Sequence, residues 1–104
     1  MTSAIFCAAM MDAETGGNKT YTFDANIDLM EMPANDIIDA FIKHLDSEGD
    51  YPSPMSCRTE SSVKKVKHRV VLATGSLVLD KGEIPFLLMI SPQDREGILG
   101  HTIR

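Results

Sequence analysis

The sequence predicts an α+β domain, a single antiparallel sheet of four to five strands packed by one amphipathic helix, in the order β-β-α-β-β-β. Three observations carry that reading. Residues 20–30 alternate, with Tyr21, Phe23, Ala25, Ile27 and Leu29 on one side and Thr20, Thr22, Asp24, Asn26 and Asp28 on the other, the period of a half-buried strand. Directly after them, Ile37, Phe41 and Leu45, widened by Ile38 and Ile42, form one stripe at helical spacing. Residues 4–11 and 84–90 are apolar on both alternating faces, as strands buried on both sides are.

Taken in order, residues 4–11 make the first strand, and the cluster Asp12 to Asn18, with two glycines, makes the turn of a hairpin with a longish loop. The second strand is 20–30. The helix runs from about 34 to 47, with Pro33 suited to its first turn, Asp36 to the positive end of its dipole and Gly49 to its stop. Residues 48–62 show no periodicity and hold two prolines, which predicts an irregular or binding loop. From Val63 a strand returns, with Val66, His68, Val70 and Leu72 on one face and Lys65, Lys67, Arg69 and Val71 on the other. Thr74, Gly75 and Ser76 mark a tight turn or a bulge, and Asp80 to Glu83 a four-residue turn. The last strand is 84–90, with Pro85 placing it at an edge or itself near the strand's start. Residues 91–96 suggest a capped helical turn, and 97–104 a frayed tail.

The totals fit one modest core. The chain has 104 residues, 43% apolar and 24% charged, with seven Met and no Trp, so Ile, Leu, Val and Met must fill the interior. The net charge of −5 is unevenly spread. Residues 1–50 carry two lysines against ten carboxylates, whereas residues 51–104 carry eight basic and five acidic residues. An acidic chain is a poor duplex binder. Two cysteines fifty residues apart, Cys7 and Cys57, form neither a disulfide framework nor a metal motif, and the apolar run 4–11 is too short for a membrane span and lacks a basic lead. The expected location is the cytoplasm.

No catalytic, cofactor or metal motif is complete. The segment Thr15 to Thr20 has Lys19 where a phosphate loop would, but Asn18 stands in place of its glycine and a strand follows instead of a helix. Asp24 to Asp28 matches the start of a calcium loop that Leu29 and Asn35 then break. His44, His68 and His101 share no ligand spacing. Cys57 is the one credible nucleophile, beside Arg58, whose charge would lower its pKa.

What remains is binding. The expected activity is that of a small non-enzymatic interaction or regulatory protein whose partner is another protein. The residues assigned to partner binding are Tyr51, Pro52, Pro54, Met55 and Arg58 of the loop, with Lys65, Lys67 and Arg69 of the basic strand. The basic segment 64–69 also admits nucleic acid, although it could simply pair with Asp24 and Asp28 across the sheet. A weaker alternative is acidic mimicry of nucleic acid by Asp24, Asp28, Asp36 and Asp39. Finally, one helix covers only one face of a sheet, so strands apolar on both faces predict a second chain on the other, most simply a homodimer.

Overall fold

A computed structural model describes residues 3–14, 16–52 and 54–93. Strands β1 (Ser3–Asp12) and β2 (Asn18–Asn26) form the expected antiparallel hairpin. A 3-10 turn over Ile27–Glu31 leads to α1 (Ala34–Glu48), then β3 (Ser56–Lys65), a second 3-10 turn over Val66–His68, β4 (Val70–Leu79) and β5 (Gly82–Pro92). The strands form one antiparallel sheet in the order β2-β1-β5-β4-β3. Fold class and element order are those read from the sequence.

The core lies between this sheet and α1. Ile37, Ile38, Phe41 and Leu45 of the helix are buried against Phe6, Ala8 and Met10 of β1, Tyr21 and Phe23 of β2, and alternate residues of β4 and β5. Phe6 stacks on Phe23 at 5.5 Å between ring centroids, and Phe41 tilts onto Phe23 at 5.9 Å and meets Tyr21 edge-on at 5.6 Å. Such pairs add to the burial of their area. The Pro33 carbonyl accepts from the Asp36 and Ile37 amides at the helix start, and Gly49 ends the helix at φ 77°, a left-handed stop that glycine takes without a Cβ clash.

Several expectations are corrected. The second strand stops at Asn26, because the Asn26 side chain accepts from the Asp28 amide and turns the chain at 2.8 Å. The expected irregular loop 48–62 is mostly regular, as α1 runs to Glu48 and β3 begins at Ser56. Residues 64–69 are not one strand. β3 ends at Lys65, Arg69 sits at φ 54°, and Val66 is 72% exposed at the turn between them. β1 is not buried on both sides, since Phe6, Ala8 and Met10 point into the core while Ile5 and Met11 are exposed. β5 alternates likewise, with Leu87 and Met89 exposed. It continues to Pro92 where a helical turn was expected over 91–96, and the tail 97–104 lies outside the described residues.

Pro85 lies in the central strand and near its start. Its carbonyl accepts from the Ala13 amide at 2.9 Å. Its missing N–H would point to that same edge, where β1 has already ended at Asp12. Gly75 marks a bulge rather than a turn. The β3–β4 register slips between Thr59 and Ser61, bringing the β3 backbone onto Gly75. A Cβ there would overlap the Arg58 carbonyl oxygen and stand 3.0 Å from Thr59 Cα. Gly75→Ala is therefore expected to destabilise the fold by about 1–3 kcal/mol in denaturant unfolding, as overpacked sites do. Gly16→Ala, at a site with nothing within 4 Å of the new Cβ, is expected to be milder, its strain coming only from φ 70°.

Candidate interaction surface

The sequence-assigned residues fall into two groups. Tyr51 turns inward and is 8% exposed. Its hydroxyl donates to the carboxylate of Asp12 at 2.7 Å, and Asp12 is buried at the end of β1. Lys19 stands 3.9 Å from the same carboxylate oxygen, with its ammonium 4.6 Å from the Tyr51 ring centre. Beside them the Tyr21 hydroxyl donates to Asp50 at 2.8 Å. This cluster fastens the segment after α1 to the start of the sheet, so Tyr51 is a clamp with little surface to offer. Met55 is half-buried against the core, and Pro52 and Pro54 are exposed.

The other group lies along β3 and the turn after it. Arg58 belongs to β3 and reaches across β4 to pair with Glu83, with Glu60 at 3.6 Å. Lys65 and Lys67 are exposed, and neither forms an ion pair among the described residues. The cross-strand match with Asp24 and Asp28 does not occur among the described residues: β2 and β3 are opposite edges of the sheet, and Asp28 lies in the 3-10 turn beyond β2. Lys64 points to the helix side, donating to the Met30 and Met32 carbonyls at 3.0 and 2.8 Å. Cys57 also faces inward against the core, away from the Arg58 side chain. Burial raises its pKa, with the Asp39 charge adding to the rise and a contact with Thr59 opposing it, the reverse of an activated thiol. His44 lies on α1 and His68 at the turn, so those two do not converge, and His101 is outside the described residues. No group of three or more His, Cys, Asp or Glu among the described residues is placed to hold a metal ion.

What the site residues leave unexplained is the face of the sheet opposite α1. Directly paired residues point the same way, so the register defines rows that cross all five strands. One row is Val63, Leu72, Met89, Ala9 and Thr20. The next is Ser61, Thr74, Leu87, Met11 and Asn18. Below them Val70, Ser91, Cys7 and Thr22 follow, then Ile5 and Asp24 at the β1–β2 side. Ile5, Met11, Val63, Leu72, Leu87 and Met89 are each between 39% and 50% exposed, and all lie on this one face. Their neighbours at the rim are Thr20, Thr22, Asn18 and Ser61, giving an apolar centre inside a polar border. Sequence reasoning predicted a second chain over the sheet face that the helix leaves uncovered, but named the loop and the basic segment as the partner-binding residues. The signal was the apolar residue at every second position of β1 and β5 that the helix stripe could not reach.

Comparison with protein-family models, with curated proteins and with solved structures finds no match to this chain.

The Tyr51 clamp has a measurable signature. Burial, the hydrogen bonds to Asp12 and Asp50 and the nearby carboxylate charges all hold the two phenols protonated well above their ordinary range. The stability this gives is intact below the unfolded-state pKa of about 10 and falls as pH rises past it, because the unfolded chain then releases protons that the fold retains. These are the chain's two tyrosines and it has no Trp, so phenolate absorbance reports on this cluster alone. It is expected to appear together with unfolding rather than before it. Tyr51→Phe, which deprives buried Asp12 of that donor, is expected to lower stability at neutral pH by about 1–3 kcal/mol in urea unfolding.

Proposed function

We propose that this chain is a binding protein, not an enzyme, and that the sheet face opposite α1 is where another protein docks. The observation that carries the reading is that six of the eight exposed large apolar side chains among the described residues gather on that one face. Contiguous apolar surface of this kind in a small domain marks an interaction site. An apolar centre with a polar border is also the usual anatomy of a protein–protein interface. Arg58 and Lys65 flank the patch on the β3 side, with Lys67 and Arg69 at the adjacent turn, so those residues act as its rim.

The chemistry of the face favours protein over nucleic acid. All six aromatic residues, four Phe and two Tyr, are buried in the core on the helix side, which leaves no ring on which a base could stack. The cytoplasm suits the two unpaired thiols of Cys7 and Cys57, which an oxidising compartment would put at risk. Among the described residues no helix is long and apolar enough to cross a membrane.

Methionine oxidation tests the reading directly. Met11 and Met89 lie on the face at 46% exposure, and Met32 lies off it at 41%. In cells expressing the chain, brief peroxide treatment read by mass spectrometry is expected to oxidise Met11 and Met89 several-fold more slowly than Met32. Equal rates at the three positions would overturn the docking reading.

A further inference from the structure

The open face is asymmetric about its central strand. On one side of β5 a shallow groove of about 340 Å³ crosses β1, with Ala9 at its floor and Cys7, Thr20, Thr22, Met89 and Ser91 around it. On the other side, in the same register row, Leu72 of β4 projects with 39% exposure. β1 and β4 flank β5 at the same spacing, about 4.8 Å. Hole and knob therefore stand at equal distances from the line of β5, at the same level along it.

Resting on the reading that a protein covers this face, we propose that the protein is a second copy of the chain, packed face to face about a two-fold axis along β5. That axis lays β1 of one copy over β4 of the other, and β2 over β3, and keeps each row at its own level. Leu72 then enters the groove over Ala9 of the second copy, twice per dimer. Met89 and Leu87 meet their own counterparts on the axis, Met11 lies over Thr74, and Val63 over Thr20. Large side chains thus oppose small ones away from the axis, as interdigitated sheet faces require. A two-fold axis across the strands would set Leu72 on Leu72 and leave the grooves empty.

Charge selects the same arrangement. On the open face, edge strand β2 presents Asp24 at one corner, and edge strand β3 ends in Lys65, with Lys67 in the turn after it, at the corner across the sheet from Asp24. With the axis along β5, Asp24 of each copy comes over Lys65 and Lys67 of the other, in the row sequence that places Thr22 opposite Lys65. None of the three has an ion-pair partner among the described residues. The area also suffices. Five strands and four alternating positions along each present on the order of 800 Å² of accessible surface, what one partner contributes to a standard stable interface.

The full chain at micromolar concentration in sedimentation equilibrium is expected to show twice the chain mass of 11.4 kDa. Leu72→Ala, which removes the knob, and Ala9→Leu, which fills the hole, are each expected to weaken pairing by about tenfold or more. The double variant Ala9→Leu with Leu72→Ala exchanges knob and hole, and is expected to recover pairing to within a few-fold of the original. Circular dichroism confirms that each variant keeps its fold, both sites being on the surface. A doubled mass with no recovery in the double variant would overturn the axis, and the proposal with it. A single-chain mass would overturn self-pairing outright. In that case protection of Met11 and Met89 in cells keeps the docking reading for a different protein or for residues 94–104 of the chain itself, and equal oxidation removes that reading too.

Discussion

A fifteen-residue helix about 22 Å long and about 10 Å across can pack on one face of a five-stranded sheet and never on both. That disproportion governs the rest of the molecule. On the covered side the sheet supplies rings and branched side chains, Phe6, Phe23, Phe86 and Ile90 among them, and the helix answers with Ile37, Ile38, Phe41 and Leu45. On the uncovered side each strand must settle its own terms with water. β2 does so with Thr20, Thr22 and Asp24, whereas β1, β4 and β5 keep Ile5, Met11, Leu72, Leu87 and Met89. The sheet accordingly changes character across its width, wet at the edges and apolar along the middle. Solvent alone gives no reason for that pattern, since polar alternation was available and β2 uses it.

How much of this was legible in the sequence follows from which strands bury a regular stripe. Tyr21 and Phe23 announce β2, and the helix and the Asp80–Glu83 turn are equally plain, because each has a period or a turn residue of its own. β3 was missed. Its sequence, Ser-Cys-Arg-Thr-Glu-Ser-Ser-Val-Lys-Lys, buries no side chain fully, so an edge strand paired on one side reads as a loop. The turn at Val66–His68 was missed for a different reason. Arg69 adopts a left-handed backbone without being Gly or Asn, and no local residue signals the reversal. The binding residues followed the same logic. Tyr51 looked like a loop residue because its partner, Asp12, lies thirty-nine positions away, beyond any local pattern. The apolar face was legible only as a surplus, more hydrophobic positions than one helix can cover.

The division of charge along the chain takes on spatial meaning once the strand order is known. The acidic first half places Asp24 on one edge strand, and the basic second half places Lys65 on the other, with three strands between them. Segments of opposite charge usually meet within a fold and neutralise each other. Here the order β2-β1-β5-β4-β3 keeps them apart, because each hairpin is a closed unit and both attach to β5 by their inner strands. On the open face this leaves Asp24 at one edge and Lys65 at the other.

The position of β5 also dictates how the sheet must be assembled. It is the central strand and the last strand of the described chain, pairing with β1 from the far end of the sequence and with β4 from the near end. The hairpins β1–β2 and β3–β4 can each close locally, within the time that short loops allow. They share no strand until Gly82–Pro92 inserts between them. During synthesis the helix and the first hairpin therefore wait with Phe6 and Met10 only partly covered until β5 has been made. A sheet closed from its middle at the last moment has high contact order, so it folds slowly and late. Whatever shields the exposed strand edges in that interval acts on the nascent chain, before there is a finished face for anything to bind.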